Sequence, residues 1–168
     1  MLEFTELERI WFVISPHNPL KEKKTLLNDN HRLQMVRLAI GEHTKMKAST
    51  IEFKLPQPSY TVNTLAHLVD KFPDHEFSLI MGADNLDSFH KWKNYEFILE
   101  HYKIFVYPRS GADGGKFKKH PAIHFTDAPV IEISSSFLRE AIKNKKDVRY
   151  YFPQAVWEYL KGMNFYRK

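Results

Sequence analysis

Short apolar segments that alternate with amphipathic segments predict an α/β fold for this chain of 168 residues. Three apolar segments, RIWFVIS (9–15), FSLIMGAD (77–84) and YKIFVYPRSG (102–111), each run into a turn that carries glycine or proline and polar side chains. Because helical crossovers join parallel strands, we predict a mostly parallel sheet flanked by helices. The length suits one domain over residues 1–168.

The strands are predicted from apolar patterning and length. RIWFVIS shows no alternation, which favours a strand buried on both faces. TIEFKL (50–55) alternates between apolar and polar residues, as expected of a more peripheral strand. AIHF (122–125) and VIEI (130–133) are two further strand candidates.

Helices are predicted where apolar residues recur at three- and four-residue steps. Residues 31–41 form the first such segment, and Asn28 to Asn30 precede it as candidate caps. Residues 61–72 form the second, and Pro73 blocks its extension. Pro153 fits the first position of a final helix.

Composition limits the function classes. The chain has 25 basic and 20 acidic residues, a net charge of +5, which suits an anionic partner but equally a basic solvated surface. The absence of cysteine excludes disulfides, thiolate metal sites and cysteine nucleophiles. Residues 110–120, SGADGGKFKKH, are expected to form a mobile basic loop.

We expect the protein to be located in the cytoplasm. No apolar run approaches the roughly 20 residues of a membrane span, so no membrane partner is expected. The N-terminal segment MLEFTELERI carries acidic residues early and lacks a signal-peptide core.

The segment VIEISSSFLREAI (130–142) is the first candidate site. Ser134, Ser135 and Ser136 stand where a helix is predicted to start, and Arg139 follows in its first turn. Free backbone N–H groups and the helix dipole favour a phosphate there, and an arginine can reach back to its oxygens. Ordinary capping by Ser134 or Ser135 would explain the serines as well.

Further candidates follow other apolar segments. Gly82 permits a tight turn or close ligand approach, and Asp84 either accepts hydrogen bonds from a ribose or caps the next helix. Trp92 either packs in the core or stacks on a flat ring. Ser59 or Thr61 starts a predicted helix, where capping or a bound carboxylate is equally physical.

The basic segment SPHNPLKEKK (15–24) offers lysines that either attend phosphates or are solvated, with Lys21 among them. His17 has no partner visible by spacing, so its role is open. The sequence contains no HExxH pattern, P-loop or GxSxG elbow. No protein metal cage is therefore predicted.

Read in order, these motifs resemble the nicotinate-nucleotide adenylyltransferase family, whose fold is a Rossmann-like nucleotidyltransferase fold. The resemblance covers essentially the whole chain and rests on six segments: SPHNPLK, HRLQMVRLAI, QPSYTVNTL, MGADNLDSFHKW, EISSSFLREAI and YYFPQAVWEYLKGMNFY. It implies transfer of the adenylyl group of ATP to nicotinate mononucleotide, giving deamido-NAD and pyrophosphate in NAD biosynthesis. It implies Mg²⁺ carried by ATP as cofactor.

The resemblance also implies roles for single residues. The ATP-phosphate site looks like the three serines of the SSS segment together with Arg139, and Lys21 looks like a second phosphate contact. The resemblance makes Arg139 and Lys21 the catalytic cations. Gly82 and Asp84 match the nucleotide-binding GAD, with Asp84 near the ribose of either substrate.

Two more residues match the acceptor site, and one does not match the family pattern. Trp92 looks like the residue that stacks on the pyridine ring, and Thr61 lies where the family holds the nicotinate carboxylate. The family's arginine-proline-glycine is here Tyr107-Pro108-Arg109-Ser110-Gly111, which leaves the role of Arg109 open.

One departure concerns the start of the chain. The family opens with a strand and a GxFxPxHxGH-type segment whose two histidines act on the phosphates, and no such segment occurs in this sequence. We therefore expect a single adenylyltransferase domain that lacks its first βα unit, and poor turnover as a result.

Two alternatives remain at the level of sequence. A related adenylyltransferase, such as one acting on phosphopantetheine, could use the same serine segment. A small basic nucleotide- or nucleic-acid-binding module would fit the positive charge, but the aromatic residues lie largely in apolar segments and no RNP-type motif is present, so we expect no nucleic-acid partner. A homo-oligomer is compatible with the sequence.

Overall fold

The computed structural model describes residues 1–16 and 27–167. The described residues form strands and α-helices that alternate along the chain, with short 3-10 turns between them. In chain order they are β1 (Ile10–Val13), α1 (Asp29–Ile40), β2 (Met46–Ser49), α2 (Thr61–Lys71), β3 (Leu79–Gly82), α3 (Ala83–Asp87), α4 (Tyr95–His101), β4 (Ile104–Tyr107), β5 (Ile123–Phe125), α5 (Ser135–Lys143) and α6 (Gln154–Gly162). The α/β class predicted from the sequence is confirmed.

All strand ladders of the described residues are parallel, but they form two sheets. One sheet pairs β1 with β2, and the other has the order β3-β4-β5. Residues of β1 and β3 line the same cleft of about 990 Å³, so the cleft lies between the two sheets. The mostly parallel arrangement is confirmed, and its division into two sheets is a feature that apolar patterning does not reveal.

The first sheet is less buried than the sequence predicts. Trp11 and Val13 are half-buried, and Phe12 is 40% exposed. The prediction that RIWFVIS is buried on both faces is therefore wrong, because β1 has one ladder partner and borders an open cleft.

The main core surrounds the second sheet. Ile104 and Val106 of the central strand β4 are fully buried, and Leu86, Phe89 and Ile98 from the helices between β3 and β4 pack with them. A strand with ladder partners on both sides and helices over it excludes water most completely, so this half of the molecule has the stronger core.

Two predicted strands are not strands. TIEFKL contains a 3-10 turn over Ile51–Lys54, and the strand that pairs with β1 is Met46–Ser49 just before it. The buried Glu52 explains the difference, because Thr64 of α2 donates a hydrogen bond to it over 2.7 Å. Among the described residues, 130–133 have no ladder partner, and Ile131 is 64% exposed. The serines of the first candidate site therefore follow an extended segment rather than a sheet strand.

Helix boundaries agree well with the predicted caps. The side chain of Asn28 accepts a hydrogen bond from the backbone N–H of Asn30 over 2.9 Å and caps α1. Helix α2 ends at Lys71, shortly before Pro73. Pro153 is the N-cap of α6 rather than its first residue.

The segment 110–120 is more ordered than its composition indicates. It contains a bridge between Arg109 and Ala112 and a 3-10 turn over Gly115–Phe117. The Phe117 ring is 7% exposed and packs in the main core. One aromatic residue therefore anchors this segment from its middle, which its composition does not indicate.

Candidate functional site

The carboxyl ends of β3 and β4 lie side by side. Gly82, the last residue of β3, is in register with Tyr107, the last residue of β4. Side chains that follow these two residues share one edge of the sheet, which is where α/β proteins bind ligands.

Space rather than backbone conformation is what a side chain at residue 82 would change. Its φ of −81° is available to any residue. A Cβ atom at this position would collide with Oδ1 of Asp84 and would lie 3.1 Å from Cζ of Tyr107. The glycine therefore lets the Asp84 carboxylate fold back over the end of β3.

Asp84 does not cap the helix that follows β3. The N-cap of α3 is Gly82, with no side-chain capping bond, and Asp84 is the second helical residue. Its side chain is 58% exposed and lies at 3.8 Å from Nε of Arg109. The carboxylate is thus free to accept hydrogen bonds from a ligand hydroxyl.

Arg109, whose role the sequence left open, connects three parts of this edge. Its Nη2 donates to Oη of Tyr107 over 3.3 Å, and its Nη1 donates to the backbone oxygen of Ile131 over 3.2 Å. Its Nε is buried and has no hydrogen-bond partner among the described residues, while Asp84 lies just beyond hydrogen-bond distance. The guanidinium joins the carboxyl ends of β3 and β4 to the segment that leads into α5.

The three serines have different roles at the start of α5. Ser134 is the N-cap, and its Oγ accepts a hydrogen bond from the N–H of Phe137 over 3.1 Å. Ser135 and Ser136 begin the helix, where the backbone N–H groups have no intrahelical acceptor. The capping prediction is confirmed for Ser134, and two hydroxyls remain that capping does not use.

Arg139 turns back toward the same helix start. Its Nη2 donates to Oγ of Ser136 over 3.0 Å, and both side chains lie at the surface or near it. Hydroxyls, free N–H groups, the positive end of the helix dipole and a guanidinium thus meet at one point. This arrangement matches the geometry of a phosphate site.

The start of α2 carries no side-chain cap. Tyr60 is the N-cap without a capping hydrogen bond, and Thr61 is the first helical residue. Capping by Ser59 or Thr61 is therefore wrong. Oγ of Ser59 is buried without a partner among the described residues, and Thr61 lines the cleft between the two sheets.

Trp92 lies close to this helix start in the fold. It is half-buried and packs edge-on against Phe89 with ring centroids 5.2 Å apart. The next residue, Lys93, places its Nζ at 4.4 Å from the ring centroid of Tyr60. The 3-10 turn before Trp92 and the N-terminus of α2 are therefore neighbours, as a site that uses both requires.

Sequence reasoning missed two further polar groups. Glu52 is 5% exposed, and its Oε2 has no hydrogen-bond partner in the described part of the chain. Arg32 donates from Nη2 to the backbone oxygen of Ser15 and to Oδ1 of Asp29, both over 2.6 Å, and so fixes α1 to the end of β1. The ion pair between Asp29 and Arg32 could have been predicted from their i, i+3 spacing on the helix.

Lys21 and His17 lie outside the described residues, so the second phosphate contact stays a prediction. In residues 1–16 and 27–167, no three His, Asp or Glu side chains are grouped closely enough to hold a metal ion. Over the same residues, no helix is long and apolar enough to cross a membrane.

Residues 2–141 match the family model described as cytidylyltransferase-like. The chain is 58% identical over 170 aligned residues to a Flavobacterium johnsoniae protein named "probable nicotinate-nucleotide adenylyltransferase", covering 100% of this chain and 88% of that protein. A Bacteroides fragilis protein of the same name is 44% identical over 94% of this chain and 79% of its own length.

Solved structures show the same fold. A Plasmodium falciparum nicotinic acid mononucleotide adenylyltransferase complexed with NaAD matches with a TM-score of 0.77 at 20% identity, covering 95% of this chain and 82% of that one. The same enzyme complexed with APC matches with a TM-score of 0.76 and the same coverage. Identity over the full chain, a matching fold and the site at the strand ends agree: the chain belongs to the nicotinate-nucleotide adenylyltransferase family, within the cytidylyltransferase-like group.

Proposed function

We propose that this protein transfers the adenylyl group of ATP to nicotinate mononucleotide, giving deamido-NAD and pyrophosphate. The observation that carries the proposal is the edge at which Arg109 lies beside Asp84 and donates to the backbone of Ile131, in the segment that leads into the serine-capped start of α5. The relatives named above support the same activity.

The ATP phosphates are assigned to the start of α5. The hydroxyls of Ser135 and Ser136, which take no part in capping, the free N–H groups and Arg139 would bind them, and Arg139 would neutralise the pyrophosphate as it departs. Lys21 is proposed as a second cation there. Asp84 would accept hydrogen bonds from a ribose, with Gly82 giving it room.

The acceptor is assigned to the start of α2. The uncapped N–H groups beside Thr61 would hold the nicotinate carboxylate, and Trp92 would stack on the pyridine ring. Both assignments rest on the neighbouring positions of these two segments in the fold.

The chemistry needs no covalent protein intermediate. An oxygen of the mononucleotide phosphate attacks the α-phosphorus of ATP in line, one P–O bond forms, and the P–O bond to the β-phosphate breaks as pyrophosphate leaves. Positioning two anions and neutralising their charge lower this barrier. Mg²⁺ is proposed to arrive on the ATP phosphates, as the family resemblance implies. We propose that the reaction takes place in the cytoplasm.

An assay with ATP, Mg²⁺ and one of three acceptors tests the proposal. The acceptors are nicotinate mononucleotide, nicotinamide mononucleotide and phosphopantetheine, and the adenylylated product is measured by mass. The chain should be compared with a version that carries the family's strand and GxFxPxHxGH segment at its N-terminus, which we expect to turn over faster. The proposal would be overturned if phosphopantetheine were the one acceptor that gave a product. It would also be overturned if neither protein formed a product with any of the three acceptors.

Arg139→Gln in the extended protein tests the phosphate assignment. We expect kcat/KM to fall roughly a hundredfold, because one charged donor to the leaving group is lost. Lys143→Gln removes the same charge at the opposite end of α5 and should leave kcat/KM within about twofold of the parent, since an exposed charge one helix length away contributes little. An equal loss of kcat/KM in both variants would show that the overall positive charge of the protein, rather than a phosphate site at Arg139, supports the activity.

A further inference from the structure

A second cavity, of about 500 Å³, lies at the C-terminal ends of α5 and α6. It is lined by basic side chains and one indole: Lys145, Lys146, Arg149, Lys161, Arg167 and Trp157. Helix α5 has 9 residues, so this cavity is about 13 Å of helix away from the serine end. The proposed adenylyl transfer uses none of its side chains.

The charge of this cavity is not balanced by its own carboxylates. Asp147 pairs with Arg149 over 2.6 Å and neutralises it. The other four cations have no carboxylate within 4.0 Å in the part of the chain that the structure describes. Five positive charges and one negative charge leave +4 on the lining.

Cations at helix C-termini commonly stabilise the helices. The charge used for this purpose has to be subtracted from the +4 of the lining before a ligand is considered. Each helix end carries roughly −0.5 charge, and the two ends together offset only about one of the four positive charges. A lining charge of about +3 remains that helix stabilisation does not explain. A cavity with this surplus attracts an anion.

The backbone around the cavity is held in place. After α5 the chain reverses: the N–H of Lys145 donates to Ile142 over 3.0 Å, and that of Lys146 donates to Ala141 over 2.9 Å. After α6 the N–H of Phe165 donates to Leu160 over 3.2 Å and returns the chain toward the cavity. These turns present the lysines from fixed positions rather than from a loose tail.

The aromatic wall belongs to a small core of its own. Trp157 is half-buried, and its ring centroid lies 5.7 Å from that of Phe152. Ala141, Ile142 and Val148 form the buried centre of this cluster. Two members of this cluster, Ile142 and Trp157, line the cavity, so its cationic side chains stand beside a packed apolar surface.

We propose that this cavity binds a small polyphosphate anion of the size of tripolyphosphate. Such an anion concentrates several negative charges in a short chain, so its oxygens can contact cations on both helix ends at once. The cavity is open to solvent on one side, and its volume of about 500 Å³ fits a small molecule better than an extended nucleic-acid backbone, which needs a longer basic stripe. This inference goes beyond the adenylyl transfer and does not depend on it.

Titration calorimetry with tripolyphosphate at low ionic strength is the test. The variant K146Q/K161Q removes one cation from each helix end and should weaken binding roughly tenfold or more. The control K45Q/K119Q removes two exposed lysines that line neither cavity and should bind like the parent. All altered side chains are exposed, and thermal unfolding should confirm that the variants remain folded.

An NMR titration locates the bound anion. The indole N–H resonance of Trp157, identified with W157F, should shift on titration, while those of Trp11 and Trp92 should not. R139Q should leave the affinity at this cavity unchanged, because that residue lies at the other end of α5. The proposal is overturned if R139Q alone weakens binding, if the test and control variants weaken it equally, or if the parent binds no tripolyphosphate. Tighter binding of single-stranded RNA, lost in the same variant, would also overturn it.

Discussion

At the scale of single residues, the candidate site depends on close approaches around the end of β3. The hydrogen atom that Gly82 carries in place of a side chain makes room for both Asp84 and Tyr107. Arg109 then reaches from this edge to the backbone of Ile131. A few atoms of added volume at residue 82 would therefore disturb the whole edge.

Gly82→Ala is expected to lower the affinity for ATP and the stability together. The added methyl group would push the exposed Asp84 carboxylate from its position, which affects ATP binding, and would crowd the Tyr107 ring, whose Cζ lies 3.1 Å away; overpacking against such a ring costs about 1 kcal/mol of the free energy of unfolding. Urea denaturation and ATP binding measure the two effects.

Gly162→Ala is the matched control. Residue 162 ends α6, and a Cβ atom there would meet nothing within 4 Å. Alanine restricts the unfolded chain and favours the helix, so stability should rise by about 0.4–1 kcal/mol. A fall in stability equal to that of Gly82→Ala would show that crowding at residue 82 is not the cause.

At the scale of elements, different serines at the start of α5 cap the helix and are proposed to bind the ligand. Ser134 makes the capping bond to Phe137, whereas the hydroxyl of Ser135 makes no hydrogen bond among the described residues. Neighbouring serines of one helix thus allow the two roles to be tested one at a time.

Ser134→Ala should destabilise the protein by about 1 kcal/mol, because the N–H of Phe137 loses its acceptor. Ser135→Ala should leave stability within about 0.5 kcal/mol of the parent, as exposed substitutions without contacts do, and should still weaken ATP binding. Chemical denaturation and ATP titration on both variants provide the comparison. If Ser135→Ala leaves ATP affinity unchanged, its hydroxyl is not part of the phosphate site.

At the scale of the whole molecule, the N-terminal segment spans the two sheets. Glu6 accepts a hydrogen bond from Lys103, the residue just before β4, over 2.8 Å, and β1 begins four residues later. The ammonium of Lys103 holds the pKa of Glu6 below its ordinary value of 4.5, and Glu6 raises the pKa of Lys103 above 10.5. This exposed pair is the polar link between the first and second sheets at this end.

The pair predicts a pH-dependent effect of Glu6→Gln. Since the pKa of Glu6 is lowered by folding, its contribution is present above pH 4.5 and is lost as the pH falls through the lowered value. The melting temperature of Glu6→Gln should therefore lie slightly below that of the parent at pH 7, and the two should converge in acid. Glu3→Gln, at another exposed position of the same segment, should show no such convergence.

The two sheets are also expected to differ in local stability. β4 has ladder partners on both sides and fully buried residues, whereas the sheet of β1 and β2 has two strands and a half-exposed surface. Two-stranded sheets contribute little stability by themselves. Hydrogen exchange should therefore protect the amides of 104–106 more strongly than those of 10–13, and equal protection would show that both sheets unfold as one unit.

Local patterns accounted for much of the fold. The boundaries of α1 and α2 follow from caps, apolar periodicity and Pro73, which act over a few residues. The apolar runs that became β1, β3 and β4 were visible for the same reason. The serine segment and Gly82 were also recognisable, because glycine and helix-start residues have local signatures.

What depended on distant contacts was not predictable from local pattern. TIEFKL alternates like a strand, yet the hydrogen bond between Glu52 and Thr64 holds it in a 3-10 turn. The contacts of Arg109 and the burial of Phe117 join segments that are far apart in sequence.

The sequence by itself determined the α/β class, the family resemblance and the residue types offered at each strand end. The tertiary structure decided which strands pair, that they form two sheets, and which side chains meet at one edge. The physical reason is the range of the interactions: turns, caps and helical periodicity act over a few residues, whereas ladder pairing and core packing join residues that only folding brings together.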